Sequence, residues 1–306
     1  MKKYSQVILS ITIAIIFLIG YPAEALAEGS WLQNFLAYIG FKRDVRGKVG
    51  SRPKGGGGRG NCPNLAYLNK AKDLQLIAII PEAQPYSSSS LASKPAKITW
   101  SYTIQQRPNL WFYVPYKFDE ETQVKFAKLA LIDEDKRLIT QPPFIFQLPQ
   151  QPGIVQVKLP IALEVNKPYK WFFSVICDDN KPSRNPSVSG WVQRVPPNQA
   201  GFVLQPSEDV FNRINYRDIA NYGLWFDAFT RLAEVYQLSN PQNSIDSSVN
   251  SENFTKTKSL DNQIQEDWLA VFKGLELDDE NIISEISQAP IFKLNCVSKT
   301  DGSKCE

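Results

Sequence analysis

The chain has 306 residues, 43% of them hydrophobic and 21% charged, with a net charge of +3. That length suits one sizeable core or two small domains. It contains no histidine, which excludes Ser-His-Asp and Cys-His mechanisms and any zinc site that needs an imidazole, and leaves a carboxylate pair as the open route to catalysis.

Met1–Ala27 reads as a secretory signal. Lys2 and Lys3 form the charged start, Val7–Gly20 is a charge-free apolar run, and Ala25-Leu26-Ala27 supplies a small-x-small cleavage pattern with Glu28 as the mature start. The run is short for a bilayer span. Ser30–Phe41 forms a short helix in this reading, with Trp31, Leu32, Phe35, Leu36 and Ile39 on one face. Residues 42–60 then carry seven cations against Asp44 alone, a net charge of +6 around a run of four glycines. This is a basic Gly-rich linker. Trp31–Arg59 could therefore rest on an anionic membrane surface. Docking on the domain or on a partner is the favoured reading, because membrane-surface helices carry their cations on the helix itself. The rest of the mature chain is slightly acidic and offers no footprint for nucleic acid.

From Asn61 to about Pro197 the pattern turns to strands. Leu74–Ile80, Ile98–Ile104, Leu110–Tyr116, Lys125–Ile132, Phe144–Leu148, Ile154–Leu159, Tyr169–Cys177 and Val188–Val195 are short apolar or alternating runs separated by Pro, Gly, Asn and Asp. Asp133–Arg137 predicts a hairpin tip with Asp133, Glu134 and Asp135 in solvent, and Pro152-Gly153 predicts a second hairpin between the fifth and sixth runs. After Pro196-Pro197 the period becomes helical. Ser207–Ala220, Leu224–Gln237, Glu266–Lys273 and Asp278–Ser287 read as helices, with Leu238–Asn262 a loop. The fold class predicted is α+β: a mainly antiparallel β-sandwich, Ig-like or jelly-roll-like, of about eight strands, followed by a small helical subdomain packed on it. The segments are then 1–27 signal, 28–60 helix and linker, 61–197 sandwich, 198–290 helices and 291–306 tail.

Four cysteines allow three pairings. Cys296 and Cys305 are close in sequence and close a local loop, which leaves Cys62 with Cys177. That second bridge would close a loop of more than 100 residues, worth about 4–5 kcal/mol in the chain-entropy model.

No motif has a reactive spacing. Asp178, Asp179 and Asn185 are oxygen ligands of a kind calcium accepts, but Asx residues between strands are ordinary turn formers and that reading is preferred. Glu208, Asp209, Asp218 and Asp227 fall on helix surfaces or first turns. Trp100, Tyr102, Trp111, Tyr113 and Trp171 could line a sugar-binding platform, but alternation favours core packing for most of them. Trp191, Tyr116 and Tyr222 are the rings to test for exposure as a ligand platform.

GRGNCP (Gly58–Pro63), NLWFYVPY (Asn109–Tyr116), PGIVQVKLP (Pro152–Pro160), YKWFFSVICD (Tyr169–Asp178), GWVQRV (Gly190–Val195) and GLWFDAFTRLAE (Gly223–Glu234) together resemble a cyanobacterial family known as domain of unknown function 928. The resemblance runs from about Gly58 to Pro290. It implies an export signal, and cysteines at the linker end and after the FSVI strand, matched by Cys62 and Cys177. It implies no activity and no catalytic residues. The long Leu238–Asn262 loop and the Cys296/Cys305 pair depart from it. The functional expectation is an exported, non-enzymatic cell-envelope binding or assembly module, without cofactor or metal, whose partner is an envelope protein or a glycan. An exported carbohydrate-active enzyme using two carboxylates, and a lipid-associated protein, are the alternatives.

Overall fold

A computed structural model describes residues 75–83, 98–116, 124–177, 180, 182–198, 215–240, 258–275, 277, 280–299 and 305. In chain order the strands are β1 (Ile77–Ala78), β2 (Glu82–Ala83), β3 (Ile98–Thr103), β4 (Asn109–Val114), β5 (Phe126–Ile132), β6 (Phe144–Gln147), β7 (Gly153–Lys158), β8 (Pro168–Ile176) and β9 (Ser187–Arg194). Helices α1 (Tyr216–Asn221), α2 (Trp225–Ser239), α3 (Lys258–Lys273) and α4 (Glu280–Gln288) follow, and then β10 (Ile291–Leu294) and β11 (Cys296–Lys299). The fold is α+β and mostly sheet.

The strands form two mixed sheets, one ordered β1-β4-β7-β10 and the other β11-β6-β5-β8-β9-β3-β2. Most pairs are antiparallel, but β3 lies parallel to β9 and β10 parallel to β7. A mainly antiparallel arrangement was expected; the two parallel pairs make both sheets mixed. Both parallel pairs bring together strands far apart in sequence, so no hairpin geometry constrains their direction.

The hairpin expected across Pro152-Gly153 does not form. β6 belongs to the larger sheet and β7 to the smaller. The connection Leu148-Pro149-Gln150-Gln151-Pro152 explains this. Tight hairpin turns need positive φ at a central residue, and two prolines locked near −65° stiffen a chain that has to cross between sheets. The charged turn after β5 does form, with Ile139 donating its backbone N–H back to the Leu131 carbonyl at 2.8 Å.

The terminal segment, read as a tail, supplies a strand to each sheet. Ile291–Leu294 runs beside Ile154–Val157, and Cys296–Lys299 runs beside Phe144–Phe146. Cys296 is disulfide-bonded to Cys305, as expected. Cys177 is also disulfide-bonded, and its expected partner Cys62 lies outside the described residues. β10 fits against β7 because residue 153 is glycine. A Cβ there would stand 2.5 Å from Phe292 Cε2 and 2.6 Å from the Pro290 carbonyl oxygen, which accepts the Ile154 N–H at 2.8 Å. Gly153→Ala is expected to displace β10 and to cost about 1–3 kcal/mol, the range for overpacking a closed contact. Urea unfolding and loss of hydrogen-exchange protection at the Ile154 amide would report it. Unchanged protection would show that the strand can shift without cost.

One core joins the sheets and the helices. Phe112 of β4 stacks on Phe173 of β8 at 4.0 Å and meets Trp171 edge-on at 5.5 Å, linking the two sheets. The helices continue it through near-parallel rings: Trp225 on Phe229, Phe229 on Trp268, and Trp268 on Tyr236. α1 ends as expected, with Gly223 at φ 75°, a conformation that favours glycine. α3 starts at Lys258, earlier than the expected Glu266, and carries Ile264, Trp268, Val271 and Phe272 into the core.

Candidate functional site

A buried polar joint connects β3 to α2. β3 alternates Ile98, Trp100 and Tyr102 with Thr99, Ser101 and Thr103. The small polar side chains meet the helices: Ser101 and Thr103 are fully buried. The first N–H groups of a helix have no partner within it. The residue before α2, Leu224, offers no side-chain cap. Ser101 supplies one from the sheet, its Oγ accepting the Trp225 N–H at 3.0 Å. The Trp225 indole N–H reaches the Ile79 carbonyl at 2.9 Å, and the Trp111 indole N–H reaches Thr230 Oγ1 at 3.0 Å.

Asp227 completes the joint. It lies in the first turn of α2 and is 4% exposed. Its Oδ1 accepts the Thr103 hydroxyl at 2.7 Å and its Oδ2 the Ile104 N–H at 2.9 Å. Burial pushes its carboxyl up to about 7, and these two hydrogen bonds pull it down only in part. A helix surface or first turn was expected for this residue: it is in the first turn, but buried, and the surface part of that expectation is corrected. A signal was present in the sequence. In Trp225-Phe226-Asp227-Ala228-Phe229 every neighbour is apolar, so that turn of helix has no solvent face.

A second carboxylate ties α1 to α3. Asp267 is buried and accepts two hydrogen bonds from Arg217, Nε to Oδ2 at 2.7 Å and a terminal nitrogen to Oδ1 at 2.8 Å. The Tyr216 hydroxyl also donates to Oδ2. Burial, then the hydrogen bond to Asp267 and its negative charge, hold the Tyr216 hydroxyl well above the ordinary tyrosine range.

Asp133, expected in solvent at the hairpin tip, is buried under Arg137. It takes the Arg137 backbone N–H and its Nε, both at 2.9 Å. Burial raises its pKa, but the Arg137 hydrogen bonds and charge outweigh that and leave the carboxyl below its usual value. Asp135 lies on the outer side of the same guanidinium at 2.8 Å.

Of the rings considered for a ligand platform, Tyr102 and Tyr222 are half-buried and the others are buried. Trp191 is buried on the face of the larger sheet turned away from the main core, stacked on Trp100 at 5.4 Å. The Lys170 amine lies 5.8 Å from the Trp191 ring and 5.4 Å from that of Phe172, within cation–π range. Tyr116 is buried, which pushes its hydroxyl up to about 12. Tyr222 is half-buried against the core. Trp111, Tyr113 and Trp171 are core residues.

Of the candidate calcium ligands, Asp178 and Asp179 lie outside the described residues. Asn185 holds the turn: its side-chain oxygen accepts the Cys177 N–H at 2.9 Å, and its own N–H donates to the Pro182 carbonyl at 3.1 Å. Among the described residues no cluster of three or more His, Cys, Asp or Glu could hold a metal ion. The signal cleavage residues Ala27 and Glu28, the segment Trp31–Arg59, and Glu208 and Asp209 lie outside them too. Among the described residues no helix is long and apolar enough to cross a membrane.

Sequence similarity extends over most of this architecture. No curated protein and no solved structure matches the chain. A family match covers residues 54–268, from the basic linker to the middle of α3. It stops short of α4, β10, β11 and the Cys296–Cys305 bridge, and thus before the Pro290 limit expected from the motifs. With more than half of its length matched, the chain belongs to the family described as Domain of Unknown Function (DUF928).

Proposed function

We propose that this protein is a non-catalytic binding or assembly module of the cell envelope, exported by its Met1–Ala27 signal and engaging an envelope protein or a glycan. The observation that carries this reading is where the polar side chains are used. Asp227, Asp267, Asp133, Ser101 and Thr103 are buried and spend their hydrogen bonds on seating helices and turns. Carboxylates fixed in this way build a rigid scaffold rather than a pair flanking a substrate. The finer architecture belongs to the same proposal. With Phe112 stacked on Phe173, the two mixed sheets pack face to face as a sandwich, and the helices pack on it.

The test is expression of the tagged protein in its native host, with N-terminal sequencing, fractionation and crosslinked capture from the envelope. A mature chain starting at Glu28 and crosslinked to a defined envelope component is the expected result. An uncleaved chain in the cytosolic fraction, or release of reducing ends from envelope polysaccharide by the purified protein, would overturn it.

A further inference from the structure

We propose that Asp227 is a proton-operated latch between the sheet and the helices, in which the neutral acid seats α2 most firmly on β3 and the carboxylate loosens it. The geometry is that of a buried acid with no counter-ion. Its partners are both neutral, the Thr103 hydroxyl and the Ile104 N–H, and no cation pairs with it among the described residues. The neighbouring charged groups are turned elsewhere. Arg217 of α1 and Asp267 of α3 hold each other. Arg194 of β9 donates to the Ile104 and Leu163 carbonyls. Tyr113 of β4 faces Glu285 of α4. Arg231 pairs with Glu234 on α2 itself. Asp218 on α1, and Asp261, Glu266 and Lys273 on α3, take no part in shifting the carboxyl, whose perturbation comes from burial and its two hydrogen bonds.

Two charge states make two hydrogen-bond patterns. Thr103 Oγ1 already accepts the Gln105 N–H at 3.0 Å, so its proton is free to point at Asp227 Oδ1 when the acid is charged. When Asp227 is protonated, the Thr103 hydroxyl proton turns off Oδ1, the acid's own O–H can donate to the second lone pair of the same Oγ1, and the Ile104 N–H stays on Oδ2. The seat keeps its contacts in either state, but only the charged state leaves a negative charge buried against apolar side chains. The sign follows from linkage. An acid that titrates near 7 in the seated protein and near 3.8 when released adds stability fully below the released value. That contribution is lost as pH rises towards the seated one, and does not change further above it.

The readout is the hydrogen-exchange protection factor of the Trp225 amide, corrected for intrinsic exchange, from pH 4 to 9, together with the carbon chemical shift of the Asp227 carboxyl. In the wild-type protein, protection is expected to fall by up to about tenfold per pH unit between the two values and to level off above the upper one. Asp227→Asn should abolish the slope. Thr103→Val, which removes a hydrogen bond that favours the charge, should move the carboxyl midpoint upward. A midpoint near that of an ordinary aspartate, a slope shared by wild type and Asp227→Asn, or a midpoint that does not rise in Thr103→Val would each overturn the proposal. The carboxyl shift is read on the wild-type chain, so the test does not depend on either variant folding.

Discussion

Asp267→Ala is expected to lower stability by about 3–5 kcal/mol, the range for breaking one partner out of a buried ion pair. The carboxylate is 2% exposed in its side chain, and the Arg217 side chain that faces it keeps 31% of its surface in water. That exposure screens the cation left behind and places the expected loss at the low end of the range. The substitution takes from Arg217 and Tyr216 the acceptor they share, and with it the polar tie between α1 and α3. Urea unfolding followed by tryptophan fluorescence would measure the effect, since Trp268 is the next residue. A double-mutant cycle with Arg217→Met separates the pair from the rest: the double variant should lose less than the sum of the two single variants. The Tyr216 hydroxyl gives an independent readout. Burial would still hold it high, but without the hydrogen bond and charge of Asp267 its ionisation should move down towards the ordinary tyrosine value. A loss below about 1 kcal/mol would mean that desolvation cancels the network's contribution.

The strands that could be read from sequence are those whose signal is local. Ile98–Thr103, Phe126–Ile132 and Pro168–Ile176 alternate over six to nine residues, and each lies where its pattern puts it. β10 and β11 are four residues each, too short for a period, and their partners β7 and β6 lie well over 100 residues earlier. Pairing at that distance is decided by the finished core, not by the segment. The face of β3 shows a subtler limit. Alternation says that the two faces differ, and hydrophobicity suggests that the aromatic one turns inward. The helix N-terminus reversed that choice, because the uncapped first turn of α2 needed an acceptor, which the Ser101 hydroxyl supplies, while Thr103 donates its hydroxyl to Asp227 in the same turn.

The same competition hid the buried acids. Residue type alone puts Asp227 and Asp133 on surfaces or in first turns. Position was the better guide. Asp267 stands three residues after Ile264 and four before Val271, on the stripe that α3 turns to the core. Asp133 stands four residues before the arginine that covers it. The burial of Trp191 was hidden for the converse reason. Trp191 is directly opposite Trp100 in the parallel register and opposite Lys170 in the antiparallel one. Neither neighbour could be known before the strand order was.

Phe112→Ala is expected to cost about 3–5 kcal/mol, as for other large-to-small changes at fully buried aromatic sites. The ring is 0% exposed and its strand lies between β1 and β7. It is the described ring of the smaller sheet that touches two rings of the larger one, Phe173 at 4.0 Å and Trp171 at 5.5 Å. Truncation therefore opens a cavity where the sheets meet and removes both ring contacts, while leaving the backbone ladder of β4 intact. Phe112→Leu keeps most of the volume and should cost less, about 1–2 kcal/mol, so the difference between the two variants separates cavity from lost volume. Guanidinium unfolding of the alanine variant should remain one transition with a lower midpoint, because sheets and helices share a single cluster of buried residues. Two separated transitions would show instead that the smaller sheet folds apart from the rest. That outcome would also remove the support that the Phe112 stack lends to a face-to-face sandwich.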